Sequence, residues 1–185
     1  MDKDLRKYLK VYDTIPAKMC EEILVGLAKA NWRKHFYQNA YTNEQETFDT
    51  DLSVTHEDVP HKNDLMGIVW NGLKQYMDDI GFAWFDSWNG FTYVRFNRYE
   101  EGQKMNIHCD HIHTVFKDSH SGIPTLTILG CLNEGYQGGE LIFWEDEKVD
   151  LPAGSIMIFP SNFLYPHEVL PVTYGTRYSF VSWAF

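Results

Sequence analysis

The side chains best placed to do chemistry in this 185-residue chain are those of His108 and Asp110. They end the stretch from Arg98 to Asp110, which follows a strongly strand-forming segment. In an extended backbone, residues i and i+2 point to the same face, so both side chains can reach one metal ion while Cys109 turns away. His167 is the best candidate for a third ligand. Two histidines and one carboxylate that leave coordination positions open are typical of non-haem Fe(II) sites.

The spacing His-x-Asp is weak evidence by itself, because the chain contains other histidines. The stretch His56-Glu57-Asp58 has the same spacing, but it lies in a polar segment without a strong strand before it, so we expect it not to bind the metal. His111 and His113 would point away from His108 in a regular strand. Together with His120 they are interpreted as rim or loop residues.

Arg177 follows His167 by ten residues and supports its assignment. On an extended strand Arg177 shares a face with Ser179, Val181 and Trp183, which places a cation and a hydroxyl among apolar neighbours. A buried arginine needs an anion, so this face predicts a bound anion. Two alternatives stay open, namely an internal salt bridge to an Asp or Glu and a His167 that only packs in the core.

Short strands must position these residues, and turn residues separate such strands throughout the chain after Gly81. Eight short strands are typical of a double-sheet jelly roll, in which the candidate residues would fall on strands two, seven and eight. The predicted strands are 91–99, 105–111, 124–132, 139–144, 147–151, 155–160, 165–169 and 176–184.

The first part of the chain predicts a short strand and two helices. The strand is Lys10 to Tyr12, and Asp13 and Thr14 can cap a helix that has Pro16 in its first turn. A second helix is expected to start near Asn63, and both helices should cover the outside of the sheet. Their apolar stripes consist of Met19, Ile23, Leu24 and Leu27 in the first helix and of Leu65, Ile68, Val69, Leu73 and Tyr76 in the second.

Two segments lack the pattern of a regular element. Residues 37–62 are polar and acidic, which predicts irregular structure, and residues 41–63 are a candidate lid. The His-rich turn 112–122 is a second candidate lid, because long loops of this kind often cover binding sites.

The length and composition favour one domain over residues 1–185, with helical support in about 1–80 and a mainly β jelly-roll core in about 91–185. The longest apolar runs are too short to span a bilayer, so no membrane partner is expected. The start of the chain resembles neither a secretory signal nor a transit peptide, which predicts a cytoplasmic location. The three cysteines lack CxxC spacing and are interpreted as buried thiols.

The formal net charge of -10, without a cluster of Lys and Arg, repels phosphate backbones. Nucleic acid is therefore an unfavourable partner. A neutral or basic partner is easier to accommodate.

At this point the motifs resemble those of a known family. Residues 91–185 are similar to the 2-oxoglutarate- and Fe(II)-dependent oxygenases of the prolyl 4-hydroxylase type. The matching pieces are Arg98-Tyr99 with Gly102, His108-Cys109-Asp110, Leu132-Asn133 with Gly138-Gly139-Glu140, Pro152-Ala153-Gly154 before Phe159, and His167 to Pro171 through Arg177 to Trp183.

The resemblance implies an eight-stranded double-stranded β-helix and assigns a role to each matching site residue. It also implies that 2-oxoglutarate and O2 are consumed while a C–H bond is hydroxylated, with L-ascorbate as a rescuing reductant. By this resemblance the Fe(II) ligands are His108, Asp110 and His167, the distal carboxylate of 2-oxoglutarate binds Arg177, and the cosubstrate pocket is lined by Tyr99, Thr127, Ser179 and Trp183.

Two positions depart from the family pattern. Collagen-type prolyl 4-hydroxylases carry Lys where this chain has Arg177, whose planar fork can bind a carboxylate through two parallel hydrogen bonds. The family also often has a Tyr three residues before the first metal ligand, where this chain has Met105. The missing hydroxyl bears on how the cosubstrate is held.

The leading prediction of function is hydroxylation of a prolyl residue in a polypeptide. The nearest alternative is the same chemistry on a free amino acid or another small molecule. A nucleic-acid demethylase is opposed by the acidic charge and by Trp183, which stands where a second Arg would be expected. A non-enzymatic jelly-roll binding module is the alternative from another class, and it would need neither the three metal ligands nor Arg177.

Overall fold

The structure is a computed structural model that describes residues 4–38, 44–48, 50–82, 89–110 and 123–185. His111, His113, His120 and the His-rich turn 112–122 lie outside these residues. Strands dominate the described part of the chain. They are β1 Lys10–Asp13, β2 Arg33–Lys34, β3 Tyr37–Gln38, β4 Gln45–Glu46, β5 Ser53–Thr55, β6 Arg95–Tyr99, β7 Met105–His108, β8 Leu126–Cys131, β9 Gln137–Gly138, β10 Leu141–Phe143, β11 Glu147–Val149, β12 Ser155–Pro160, β13 His167–Val169, β14 Val172–Tyr174 and β15 Arg177–Ala184.

Two antiparallel sheets carry the fold. The major sheet has seven strands in the order β1-β12-β8-β15-β6-β5-β2, and the minor sheet has the order β11-β10-β13-β7. The pairs β14-β9 and β3-β4 form two small additional sheets. The prediction of a mainly β jelly-roll core with flanking helices is confirmed.

Two α-helices cover one face of the major sheet, α1 Ala17–Leu27 and α2 Lys62–Ile80. A 3-10 helix, Leu5–Tyr8, packs instead against buried residues that both sheets share. Helix α2 ends at Gly81, which adopts the left-handed backbone conformation (φ 63°) that suits glycine at a helix C-terminus. Gly72 lets α2 approach β12 closely, because a Cβ there would lie 2.5 Å from Cδ1 of Ile156. The predicted position of both helices on the outside of the sheet is confirmed.

The core therefore has two layers. One layer lies between the helices and the major sheet and includes Ile23, Leu73, Phe96 and Phe180. The other contains residues of both sheets. Its buried members are Leu52, Val54, Tyr99, Met105, Leu141, Phe143, Met157, Phe159, Tyr165, Val169 and Val172.

The prediction of irregular structure over 37–62 was wrong at β5. This strand pairs with β6, and Val54 is only 4% exposed, so the segment extends the major sheet. Three residues are too few to show a period, which is why only the pairing reveals the strand. Lys62 and Asn63 already belong to α2, so much of the candidate lid 41–63 is built into the fold.

Two further details differ from expectation. Strands β9 and β14 pair with each other where the sequence predicts turns near Gly138-Gly139 and Pro171 to Gly175. Cys109 is partly exposed, whereas Cys20 and Cys131 are buried thiols as predicted. In the part of the chain that the structure describes, no helix is long and apolar enough to cross a membrane.

His61 links the two helices through an ion pair that depends on pH. Its Nδ1 lies 2.7 Å from Asp64 in α2, and its Nε2 lies 2.5 Å from Glu22 in α1. These hydrogen bonds raise the pKa of His61 above its usual 6.5. A raised pKa in the folded state stabilises the fold below the pKa of the unfolded chain, and this contribution disappears as the pH rises through the pKa of the folded state.

We expect the melting temperature of the native chain to exceed that of His61→Asn at pH 6 and the difference to vanish by about pH 9. Asn is the matched replacement because it tolerates the left-handed backbone of His61 (φ 63°). Thermal unfolding between these pH values measures the effect. A difference that grows with pH would contradict the role of the protonated imidazole.

Candidate active site

The fold brings together the three side chains that the sequence singled out as metal ligands. His108 ends β7 and His167 begins β13, and the two residues lie opposite each other in the register of the minor sheet. The Nε2 atom of His108 is 3.4 Å from Oδ1 of Asp110, and the Nε2 atom of His167 is 3.8 Å from its Oδ2. One ligand atom from each residue lies within 4.8 Å of the other two. This spacing lets one metal ion contact all three.

Backbone carbonyls orient both imidazoles. The Nδ1 atom of His108 lies 2.8 Å from the carbonyl oxygen of Asn106, and that of His167 lies 3.1 Å from the carbonyl oxygen of Tyr165. A carbonyl oxygen can only accept, so each Nδ1 carries the hydrogen and each Nε2 faces Asp110. Such bonds fix the tautomer and the ring orientation of metal-binding histidines.

The protonation states suit a divalent cation. Burial alone would raise the pKa of Asp110. The hydrogen bond to His108 and the charges of the two histidines lower this pKa by more than burial raises it, so it lies well below its usual range. Burial and the nearby His108 lower the pKa of His167 to about 4. Burial also lowers the pKa of His108, yet Asp110 outweighs this effect and raises it. Metal binding at this site would therefore displace a proton.

Thr127 and two aromatic rings complete the surroundings of the three ligands. The hydroxyl of Thr127, on β8, donates a hydrogen bond to Oδ2 of Asp110 at 2.8 Å. The ring of Phe143 stacks on His167 at 5.3 Å, and the ring of Phe159 meets it edge-on at 5.1 Å. Two imidazole nitrogens and one carboxylate in such an apolar pocket fit Fe(II).

Arg177 supplies a buried positive charge on the facing sheet. Its side chain lies 5.1 Å above the ring of Tyr99, and Nη1 donates to Oγ of Ser179 at 3.1 Å. The residue is 4% exposed, and its Nε has no hydrogen-bond partner. Within the described residues Arg177 makes no salt bridge to a carboxylate, so the predicted alternative of an internal ion pair is not found there. A desolvated cation of this kind favours an anionic ligand.

The other predicted residues lie on the same face of the major sheet as Arg177, and we call the space between this face and the minor sheet the cavity. Tyr99 and Ser179 contact Arg177, Thr127 contacts Asp110, and Trp183 is 8% exposed with Arg95 lying 5.1 Å above its ring. His56 is not part of the metal cluster. It lies 3.4 Å from Arg33, a contact between side chains at the edge of the major sheet.

Sequence reasoning missed two residues of this cavity. Arg95 shares strand parity with Tyr99, so the period of β6 could have revealed it. Tyr37 lies in the segment expected to be irregular, and no sequence signal places its hydroxyl 3.2 Å from the sulfur of Met105. A tyrosine hydroxyl is thus present beside Met105 although it comes from a different part of the chain.

Comparison with known proteins decides the family. The model of the 2OG-Fe(II) oxygenase superfamily matches residues 94–185, a range that includes the three metal-ligand candidates and Arg177. The chain belongs to the 2OG-Fe(II) oxygenase superfamily. Curated relatives of this oxygenase include PKHD-type hydroxylases from Herminiimonas arsenicoxydans, 37% identical over 94 residues, and from Paracoccus denitrificans, 36% identical over 95 residues. Each match covers 48% of this chain and 41% of the relative, so the chain spans about two fifths of the length of these proteins.

Solved structures extend the similarity of this oxygenase to its whole fold. A prolyl-4-hydroxylase from Pseudomonas putida has a TM-score of 0.66 and 22% identity, with coverage of 96% of this chain and 92% of that one. A prolyl hydroxylase from Trichoplax adhaerens, solved with a peptide fragment of the hypoxia inducible factor oxygen degradation domain, has a TM-score of 0.68 and 17% identity, with coverage of 97% and 84%. At these identities the likeness establishes the fold.

The contact between Thr127 and Asp110 makes a testable contribution to the candidate metal site. Thr127→Val keeps the shape of the side chain but removes the hydrogen bond that orients the carboxylate. We expect the affinity for Fe(II), or for Co(II) as a spectroscopic substitute, to fall by about 10–100-fold, the range for partners of metal ligands. Titration followed by absorbance measures this loss.

Thr55→Val is the matched control, because Thr55 is a buried threonine of the same sheet whose hydroxyl accepts from the backbone of Glu57 instead. Its metal affinity should equal that of the native chain. Equal affinities for all three proteins would show that Thr127 does not support Asp110.

Proposed function

We propose that the chain catalyses the Fe(II)- and 2-oxoglutarate-dependent hydroxylation of a prolyl residue in a polypeptide, in the manner of a prolyl 4-hydroxylase. The observation that carries the oxygenase part is the His-Asp-His cluster opposite Arg177, a buried cation without a carboxylate partner among the described residues. The likeness of the fold to solved prolyl hydroxylases supports the choice of proline. When bound, Fe(II), 2-oxoglutarate and O2 supply the oxidising power for C–H hydroxylation, with succinate and CO2 as the other products.

In this proposal the chain holds the metal with His108, Asp110 and His167. The carbonyls of Asn106 and Tyr165 keep the two Nε2 atoms directed at the metal position. Thr127 keeps the carboxylate of Asp110 in place. Three protein ligands on one side leave coordination positions open on the other, as the chemistry requires.

The cosubstrate would lie between the metal position and Arg177. The guanidinium of Arg177 would bind the distal carboxylate of 2-oxoglutarate, while Ser179 and Tyr99 hold the arginine in position. Thr127 and Trp183 are proposed to line the same pocket. The phenylalanine rings packed on His167 keep water away from the metal ligands, which strengthens every electrostatic contact inside the site.

A polypeptide substrate would cross the cavity mouth near His108 and Trp183. Proline-rich peptides already favour the extended polyproline conformation, so less conformational entropy is lost when they bind. The described residues 44–48 are exposed and lie in the segment that joins β3 to β5. Residues 56–58 of the candidate lid are exposed as well.

The experiment combines the chain with Fe(II), 2-oxoglutarate, L-ascorbate and a panel of proline-containing peptides. We expect peptide-stimulated release of succinate and a mass gain of one oxygen located on proline, with L-ascorbate sustaining turnover. Asp110→Ala is the control, since it removes a proposed metal ligand. Efficient hydroxylation of free proline or another metabolite, while every peptide is ignored, would replace the polypeptide proposal by the small-molecule alternative.

A further inference from the structure

A second group of basic side chains lies on the same side of the major sheet as Arg177. We call Arg33, His35 and Arg95 the basic cluster. Arg33 pairs with Val54, and Val54 pairs with Asn97, two residues beyond Arg95 on β6. Directly paired residues of an antiparallel sheet share a face, as do alternate residues of one strand. The cluster therefore lies on the face of the major sheet that also carries Arg177.

Arg95 is a cation without a carboxylate partner in the described part of the chain. Its guanidinium lies 5.1 Å above the ring of Trp183, and its Nε donates to the side-chain oxygen of Asn97 at 3.2 Å. Burial lowers the pKa of Arg95, and the nearby Tyr99 and Asp110 oppose this shift. Asp110 is already held by Thr127 and belongs to the proposed metal site. The charge of Arg95 is thus half-buried and is not neutralised by a dedicated partner among the described residues.

The other two members leave further hydrogen-bonding capacity beside Arg95. Arg33 contacts the ring of His56 at 3.4 Å, and its charge lowers the pKa of Arg95. Burial, followed by the charge of Arg95, lowers the pKa of His35 to about 3, so this imidazole is neutral at pH 7. The Nδ1 atom of His35 is buried and has no hydrogen-bond partner in the part of the chain that the structure describes. Two cations and an unsatisfied imidazole together favour an anion.

The basic cluster is separate from the proposed cosubstrate site. Tyr99 pairs with Arg177, whereas Arg95 pairs with Val181. Four residues along a strand correspond to about 13 Å, so one 2-oxoglutarate is not expected to reach both arginines. Arg95 instead lies over Trp183, which pairs with Thr127, the residue that holds Asp110. The cluster is thus on the metal side of the cavity, where a substrate must present its C–H bond.

We propose that the basic cluster binds a carboxylate of the substrate and so determines which C–H bond reaches the metal. The proposal rests on the proposed oxygenase function and names the substrate class of that site. The carboxylate has two possible sources, an acidic side chain beside the target residue or the α-carboxylate of a C-terminal or free amino acid. The net charge of -10 favours a neutral or basic partner at long range, but a desolvated contact at short range governs specificity.

The test measures binding and turnover in parallel. The probes are acetylated proline peptides that carry either Glu or Gln next to proline, the same peptides with a C-terminal acid or amide, and L-proline with L-prolinamide. Binding is measured with Mn(II) and saturating 2-oxoglutarate, and turnover with Fe(II). We expect one carboxylate probe to bind at least about tenfold more tightly than its neutral partner, as a charge-assisted contact permits. The pair that shows the preference identifies the source of the carboxylate.

Arg95→Gln should abolish this preference by weakening only the carboxylate probe, while the KM for 2-oxoglutarate stays unchanged. Arg95→Lys keeps the charge and should retain part of the preference. Arg98→Gln is the matched control, because Arg98 lies on the same strand but packs on Trp32 at 4.8 Å on the opposite face. It should preserve the preference in full.

Two results would contradict the proposal that the basic cluster binds a carboxylate. One is a native chain that binds acid and neutral probes equally, and the other is an Arg95→Gln variant whose main defect is a raised KM for 2-oxoglutarate. Failure of the proposed prolyl hydroxylation is distinguishable from both. In that case no peptide gains oxygen. The carboxylate probe still binds more tightly than its neutral partner, and Arg95→Gln still removes this difference, which supports the carboxylate site.

Discussion

Asp110→Ala, His108→Ala and His167→Ala are each expected to lower Fe(II)-dependent turnover of 2-oxoglutarate by more than about a hundredfold. Loss of a residue that merely supports a metal ligand typically costs 10–100-fold, and loss of a ligand itself should cost more. Asp110 has the largest expected effect, because its carboxylate lies between the two Nε2 atoms and supplies the only negative charge of the triad. Succinate release measures turnover, and Co(II) titration measures binding.

The fold of each variant should survive, because the metal site is separate from the core that packs the helices on the major sheet. The native chain should gain thermal stability when Fe(II) or Co(II) is added, and the three variants should not. His56→Ala is the comparison for metal binding, since His56-Glu57-Asp58 has the same spacing as His108-Cys109-Asp110. If His56→Ala abolished metal binding and His108→Ala did not, the wrong pair would have been assigned.

Part of the candidate site could be found from sequence because its signals are local. His108 and Asp110 are two residues apart, and Arg177, Ser179 and Trp183 lie on one face of a single strand, so the period of an extended chain is sufficient. The strand 155–160 was predicted with both of its ends because the turn residues Pro152-Ala153-Gly154 precede an apolar run. The assignment of these residues to Fe(II) and 2-oxoglutarate stays a prediction.

The contacts between distant residues were not predictable in this way. The hydrogen bond from Thr127 to Asp110 depends on how the two sheets face each other. The strand β5 was missed because three residues show no period, although Val54 is buried beside Asn97. Arg33 lies on the sheet face that carries Arg177 only because β2 pairs with β5, which in turn pairs with β6. Pairing between strands far apart in sequence carries this information, and a single sequence does not display it.

The net charge of the chain and the charges near the candidate site have opposite signs. The net charge of -10 predicts repulsion of anions. The cavity nevertheless contains Arg177 and Arg95, neither of which has a salt bridge in the described part of the chain. Distant surface charges are screened within about 8–10 Å, whereas a desolvated cation acts at contact distance. The local charges therefore decide which ligands the cavity accepts.

Arg177→Met is the second prediction with a large expected effect. It should weaken 2-oxoglutarate binding by about 2–5 kcal/mol, the usual cost of truncating one partner of a buried charged contact. The loss should appear mainly as a higher KM for 2-oxoglutarate, since the carboxylate that Arg177 is proposed to bind does not react. Arg177→Lys should be less damaging because it keeps the charge but loses the bidentate geometry.

Stability distinguishes this role of Arg177 from a structural one. The buried guanidinium has no carboxylate partner among the described residues, and its Nε is unsatisfied, so methionine should leave the ligand-free chain equally stable or more stable. The thermal stabilisation that 2-oxoglutarate gives to the metal-loaded native chain should disappear in the variant, because that stabilisation depends on binding affinity. Arg98→Met, on the opposite face of the sheet, should retain it. A structural role would give the opposite results. In that case Arg177→Met would lower the melting temperature of the ligand-free chain and would leave 2-oxoglutarate binding intact.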